Sequence, residues 1–124
     1  MKDLIIEETT ETPEIKFKED EGLLKISGRA YSSDITFFYK ELDKWLEEYL
    51  LNPKDKTTIE LYLDYYNSVF HKLLFNFLKK SLIVKNKGKQ LVIKWFYNEG
   101  DEDSMDACMH YAKSLDYPIE KIES

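Results

Sequence analysis

The sequence is poor in several residues on which small functional sites depend: it has one cysteine, four glycines and three prolines. Cys108 alone cannot form an internal disulfide and provides no Cys-x-x-Cys spacing for redox chemistry. The glycines are too scattered to build a phosphate-binding loop or a dinucleotide fingerprint, so we expect no cofactor. His71 and His110 form no metal-ligand spacing with Cys108, so we expect no metal site.

Long apolar runs and an excess of positive charge are also absent. No stretch approaches the roughly 18 apolar residues of a transmembrane helix, and near the N-terminus only residues 4–6 are apolar. We therefore expect a cytoplasmic protein that does not insert into membranes. The 18 basic and 24 acidic residues give a net charge of −6, which repels nucleic acid and anionic membrane surfaces. This charge favours a protein as the partner.

Apolar and aromatic residues, by contrast, are plentiful, at 43% and 15% of the chain. A chain of 124 residues with this composition can fill one hydrophobic core. The polar segment 1–13 is predicted to be a loose N-terminal lead-in, and residues 14–124 a single domain.

Hydrophobic periodicity predicts an α/β fold. The order β-β-α-β-α-β-α-β, with helices alternating with strands after an opening hairpin, predicts a mixed, mostly parallel sheet with right-handed crossovers. The predicted elements are a hairpin over residues 15–26, a helix over 35–49, a strand over 58–65, a helix over 69–82, a strand over 89–97, a helix over 101–115 and a short edge strand over 119–122.

The alternation within the strands also predicts which side chains share a face. In the strand over 58–65, Tyr65 is expected on the same face as Leu63, with Asp64 on the other. In the strand over 89–97, Val92 and Phe96 make the second face partly apolar. We therefore expect that strand to be covered on both faces.

The junction between the strand over 58–65 and the following helix offers the most distinctive chemistry. The chain runs through Tyr66-Asn67-Ser68 directly into the helix, which places a hydroxyl at a helix N-terminus beside the carboxyl end of a strand. Ligands and switches tend to lie at such strand ends, and the first helical turn favours negative charge. A phosphate on Ser68 would lie in a favourable field.

Two other interpretations of this junction stay open. Asn67 or Ser68 can simply cap the helix, in which case the protein is a constitutive scaffold. Ser68 and His71 are also three residues apart, so they share a helical face and could act as nucleophile and base, with Asp64 as the orienting acid. That arrangement would make the protein a small hydrolase.

Several segments together resemble the SiaC-type regulatory phosphoproteins. They are residues 59–68 (IELYLDYYNS), the lysine-containing helix that follows, and residues 91–97 (LVIKWFY). The opening residues 12–15 (TPEI) and the first helix with Trp45 fit the same pattern, so the similarity covers nearly the whole chain.

This resemblance implies a STAS-like fold, similar to anti-sigma-factor antagonists, and a non-enzymatic partner-switching role. It implies that Ser68 is phosphorylated by a cognate kinase of histidine-kinase-like ATPase fold and restored by a PP2C-type phosphatase, with Asn67 as the local cap. The unmodified form would bind an effector protein, which is a diguanylate cyclase in some systems. We expect the partner-binding surface to comprise Asp64, Tyr66, Asn67, Ser68, Val69 and His71.

Overall fold

Six strands form one mixed sheet, and their order in space follows their order in the sequence. The computed structural model describes all residues, Met1 to Ser124. The first three strands are antiparallel and the pairings from β3 to β6 are parallel, which confirms the predicted mixed, mostly parallel sheet. The strands are β1 (Leu4–Ile6), β2 (Glu14–Lys18), β3 (Leu23–Ala30), β4 (Lys56–Tyr66), β5 (Gln90–Tyr97) and β6 (Glu120–Glu123).

Three long helices and one short helix connect the parallel strands. The sequence prediction places α1 at its observed bounds and α2 and α4 within one residue at each end, and it does not include the short helix α3. No helix combines the length and the apolar character needed to cross a membrane. The helices are α1 (Ile35–Tyr49), α2 (Ser68–Ser81), α3 (Ile83–Asn86) and α4 (Glu102–Leu115).

The N-terminal segment contains a strand, so the prediction of a loose lead-in over 1–13 is wrong for residues 4–6. Strand β1 pairs antiparallel with β2, with Leu4 opposite Phe17. Leu4 and Ile6 pack against the core, and the Trp45 indole N–H donates a hydrogen bond to the Lys2 carbonyl at 2.8 Å. Three residues are too few to show a period, which is why the strand escapes sequence analysis.

All helices cover one face of the sheet. Strands β3 to β6 lie side by side in chain order, and right-handed crossovers that always step in the same direction put every connecting helix on the same side. Burial agrees, because buried and half-buried residues alternate along β2, β3, β4 and β5. The expectation that β5 is covered on both faces is therefore wrong: Val92 and Phe96 lie half-buried on the open face.

Aromatic stacking partly covers that open face. The rings of Tyr62 and Phe96 stack with centroids 3.9 Å apart, and the Lys25 ammonium lies 4.9 Å from the Tyr62 ring centre. The lysine thus makes a cation–π contact while its stem covers apolar surface. This explains how apolar side chains on β4 and β5 can be retained without a covering helix.

The covered face packs against the helices in one core of 26 buried residues. Phe17 of β2 stacks on Phe77 of α2, and Trp95 of β5 packs against Tyr111 of α4, with ring centroids 5.6 Å apart in both pairs. The C-terminus of α1 has no basic residue in its last turn, but Lys87 Nζ donates to the carbonyls just beyond that turn at 2.6 and 3.2 Å. This contact ties α1 to the loop before β5.

A β-bulge interrupts β4 near its carboxyl end. Gly28 of β3 lies opposite Leu63, but the next residue of β3, Arg29, lies opposite Tyr65, so Asp64 is the extra residue. A bulge of this kind reverses the side-chain alternation beyond it. Tyr65 consequently points to solvent and is 58% exposed, whereas Tyr66 packs against the core. The prediction that Tyr65 shares a face with Leu63 is therefore wrong.

Candidate functional site

Asn67 forms the junction between β4 and α2. Its backbone is extended (φ −85°, ψ 174°), and its side-chain carbonyl accepts a hydrogen bond from the Phe70 N–H at 2.9 Å. Its own N–H donates to the Ala30 carbonyl at the end of β3, at 3.1 Å. Asn67 is therefore the N-cap of α2, and it fixes the helix start to the end of the neighbouring strand.

Ser68 is the first residue of α2 and is exposed. Its hydroxyl makes no hydrogen bond within the protein. The first turn of α2 carries no acidic residue, whereas Lys79 and Lys80 lie in its last turn. Because the first N–H groups of a helix lack partners within the helix, this position favours an anion. The hydroxyl is thus accessible, and a negative charge there would be stabilised.

Two exposed apolar side chains, Tyr65 and Val69, lie close to Ser68 along the chain. Val69 is 46% exposed, and Tyr65 presents its ring to solvent while meeting the Tyr31 ring edge-to-face, with centroids 5.5 Å apart. Phe70, one residue further along α2, is only 1% exposed and anchors the turn in the core. Ser68 therefore lies on a rigid turn with apolar surface around it.

The structure separates the six predicted partner-binding residues into two groups. Asp64, Ser68 and Val69 are exposed, whereas Tyr66, Asn67 and His71 are half-buried.

Sequence analysis missed Tyr65, which the bulge turns to the surface, and its contact with the half-buried Tyr31. One available signal was Gly28, because an isolated glycine inside a strand often marks a bulge. Here Gly28 has φ of 116°, and the register shifts immediately after it.

His71 connects α2 to α4. Its Nδ1 lies 2.7 Å from the Tyr111 hydroxyl, and its ring lies 5.7 Å from that of His110 and parallel to that of Tyr66. Burial, and to a lesser extent the neighbouring His110, lowers the pKa of His71. Burial likewise raises the pKa of both Tyr66 and Tyr111. The shifts favour the neutral forms of His71, Tyr66 and Tyr111, of which His71 and Tyr111 are hydrogen-bonded and Tyr66 is packed parallel to the His71 ring.

The geometry does not assemble the alternative hydrolytic site. A nucleophile and its base must be hydrogen-bonded, and the base must in turn be oriented by an acid. No hydrogen bond joins Ser68 to His71, or His71 to Asp64, and the Nδ1 of His71 is already paired with Tyr111. The two clefts that include Asp64 measure about 270 and 280 Å³, which is at the lower limit for small-ligand pockets.

Solved structures share this fold. Apo-SiaC from Pseudomonas aeruginosa superposes with a TM-score of 0.88 at 20% identity, over 98% of this chain and 99% of that one. SiaC in the crystal structure of the diguanylate cyclase SiaD with its activator SiaC, also from Pseudomonas aeruginosa, superposes with a TM-score of 0.91 at 20% identity, over 98% of this chain and 100% of that one. At this identity the superposition establishes the fold.

Sequence comparison establishes the family. An uncharacterized protein of Pseudomonas aeruginosa strain UCBPP-PA14 is 22% identical over 119 residues, which cover 96% of this chain and 94% of that protein. The family model for the SiaC family regulatory phosphoproteins matches residues 6–124, almost the entire chain. The chain therefore belongs to the SiaC family of regulatory phosphoproteins.

Proposed function

We propose that this chain is a non-enzymatic switch that binds an effector protein when Ser68 is unmodified and releases it when Ser68 is phosphorylated. The observation that carries this proposal is an exposed, unpaired hydroxyl on the first residue of α2, next to the exposed Tyr65 and Val69. The residue to be modified and the surface to be bound are thus adjacent.

The effector that we propose is a diguanylate cyclase. The support is the solved complex in which a protein of the same fold, SiaC of Pseudomonas aeruginosa, is the activator of the diguanylate cyclase SiaD. We further propose a kinase of histidine-kinase-like ATPase fold and a PP2C-type phosphatase as the enzymes that add and remove the phosphate. An ATP-dependent kinase would also require the protein to reside in the cytoplasm.

The switch would work through local charge and bulk. Phosphorylation adds a charge of about −1.5 to −2 and three acceptor oxygens. The first turn of α2 can accommodate them, because it holds no acidic residue and the start of a helix favours negative charge. Under a docked protein the same group would have to lose its water, which is costly for a charged group. Binding should therefore weaken while the fold persists.

The predicted partner surface has two roles in this proposal. Asp64, Ser68 and Val69 are exposed and would contact the effector directly. Tyr66, Asn67 and His71 are half-buried and would hold the surface in place from below. Substitutions in the second group should affect binding mainly through stability.

The test combines intact-mass analysis with binding measurements. Protein purified from its native cell should carry a single phosphate, located on Ser68 by peptide mass spectrometry. Ser68→Ala should bind the diguanylate cyclase of the same genome and should not be releasable by ATP and kinase. Ser68→Asp should weaken binding at least tenfold while retaining a native circular dichroism spectrum.

Ser114→Asp provides the matched control, because Ser114 is also an exposed serine but lies at the far end of α4. It should bind like the wild type. If Ser68→Asp bound the cyclase as tightly as Ser114→Asp does, the proposal would be wrong.

A further inference from the structure

We infer that the open face of the sheet is a self-association surface, on which a second copy of this chain packs face to face about a twofold axis parallel to the strands. The open face is the side of β3, β4, β5 and β6 that carries Tyr62 and Phe96 and no helix. The inference goes beyond the proposed switch, because Ser68 begins a helix on the covered side of the sheet.

One row of residues across the open face consists only of charged side chains. None of the four takes part in a salt bridge within the chain. The Lys25 ammonium lies over the Tyr62 ring, and Glu60 accepts a hydrogen bond from the Tyr62 hydroxyl at 3.4 Å. The signs alternate from strand to strand, in the order Lys25 on β3, Glu60 on β4, Lys94 on β5 and Glu120 on β6.

This order of charges is complementary to itself. A twofold axis that runs parallel to the strands between β4 and β5 brings β4 against β5 of the second copy, and β3 against β6 of the second copy. Glu60 then faces Lys94 of the second copy, and the reciprocal contact forms by symmetry. Lys25 likewise faces Glu120. All four charges of each copy therefore meet an opposite charge.

Other positions of the axis match the charges less well. With the axis on β4, Lys25 faces Lys94, and with the axis on β5, Glu60 faces Glu120. An axis between β3 and β4 brings Lys94 against Lys16, which lies opposite Lys25 on β2. An axis between β5 and β6 leaves Lys25 and Glu60 without a partner, and one perpendicular to the strands through this row places each charge against its own copy. The axis between β4 and β5 alone matches all four charges.

The neighbouring rows fit the same axis. Tyr62 on β4 stacks beside Phe96 on β5, and the axis brings each ring against the other residue of the second copy. On the other side of the charged row, Thr58 lies opposite Val92, and the axis exchanges these two residues in the same way. Sheets that pack face to face lie about 10 Å apart with their strands within about 30° of each other. The charged row would thus lie between two rows that contribute apolar contact.

The open face also avoids the repulsion that opposes self-association of an acidic chain. Its alternating row sums to zero charge, whereas the whole chain carries −6. Four strands about 4.8 Å apart give a face about 19 Å wide, which is small for an obligate interface. We therefore expect a dimer that dissociates on dilution.

The dimer leaves both Ser68 hydroxyls accessible. Helix α2 lies on the covered side of the sheet, away from the second copy. Rotation about an axis parallel to the strands leaves the strand direction unchanged, so the carboxyl ends of β4 from both copies lie at the same end of the dimer. Self-association and the switch can therefore operate in the same molecule.

Analytical ultracentrifugation of the full chain tests the inference through a charge exchange between copies. The wild type should sediment as a dimer that dissociates on dilution and with added salt. Glu60→Lys and Lys94→Glu each place like charges together across the axis, so each should raise the dissociation constant at least tenfold. When the two variants are mixed, every altered side chain meets an opposite charge again. The mixture should dimerise at least tenfold more tightly than either variant alone.

Glu41→Lys is the matched control, because it reverses the charge of an exposed glutamate on α1. It should leave the dissociation constant within a factor of two. Circular dichroism checks that each variant is folded, and mixing Lys25→Glu with Glu120→Lys repeats the exchange at the outer pair.

Three outcomes would overturn the inference. The first is a wild type that stays monomeric at every concentration, which would leave the open face to solvent or to a different protein. The second is a dimer that Glu60→Lys weakens no more than Glu41→Lys does. The third is a pair of folded variants that stay monomeric when mixed. None of these outcomes bears on the switch at Ser68.

Discussion

Replacing Ser68 by aspartate should make the fold more stable. Helix α2 begins at Ser68, has no acidic residue in its first turn and keeps the Asn67 cap when Ser68 is changed. A negative charge at such a helix start contributes about 0.3–1 kcal/mol at low salt. The exposed carboxylate of Asp64, four residues earlier, offsets part of this gain. We expect a net increase of about 0.5 kcal/mol in the free energy of unfolding.

The expected shift in melting temperature follows from the size of the chain. Unfolding releases about 2.1 cal/mol/K of entropy per residue near 60 °C, which for 124 residues is about 0.26 kcal/mol/K. A gain of about 0.5 kcal/mol then raises Tm by about 2 °C. The gain should shrink in about 1 M salt, where charge interactions are screened over about 3 Å.

Thermal denaturation of three proteins provides the assay: wild type, Ser68→Asp and Ser68→Asn. Asparagine matches aspartate in shape and lacks its charge, so the difference between the two variants isolates the electrostatic contribution. The reasoning would be refuted if Ser68→Asp melted below Ser68→Asn at low salt. It would also be refuted if the difference were independent of salt, because the change would then not arise from charge.

Three further changes test the site and one contact that stabilises the fold away from it. Asn67→Ala should lower the free energy of unfolding by about 1 kcal/mol through loss of the N-cap, whereas Asn67→Asp should keep most of it, as measured by urea denaturation. Lys87→Met should lower the free energy of unfolding by about 1 kcal/mol, because the carbonyls after α1 lose their donor. Lys85→Met, in the neighbouring helical turn, should lower it by less than half as much. Folding lowers the pKa of His71, so the unfolded chain binds more protons, and stability should fall as the pH drops below about 6.5. His71→Gln should show a flatter pH profile by the same measurement, and an unchanged profile would contradict this assignment.

Elements with long, regular apolar stripes could be predicted from the sequence. Helix α1 was located at its observed bounds and α2 within one residue, because their apolar residues recur with helical spacing over four turns. Ser68 could be identified as a candidate site for the same reason, because the apolar residues change from alternate spacing to helical spacing at this point of the sequence. The family resemblance then identified Ser68 as the residue to modify.

Features that depend on pairing between strands could not be predicted. Strand β1 exists because β2 offers it an edge, and three residues carry no period of their own. The exposure of Tyr65 depends on how β4 aligns with β3 around Gly28, which alternation within β4 alone cannot reveal. The one-sided arrangement of helices likewise follows from strand order, which is a property of the whole sheet.

The junction is too well anchored for phosphorylation to act by rearranging the fold. Asn67 is hydrogen-bonded to the end of β3, and Phe70 is buried in the core, so Ser68 lies between two fixed points. The effect of a phosphate must therefore be exerted at the surface. Release of a docked effector would follow from the bulk of the phosphate and from the cost of desolvating its charge beside the exposed Val69. Close contact with Val69 would therefore make the switch effective, because an effector that left Ser68 in water would not force the phosphate to lose its hydration.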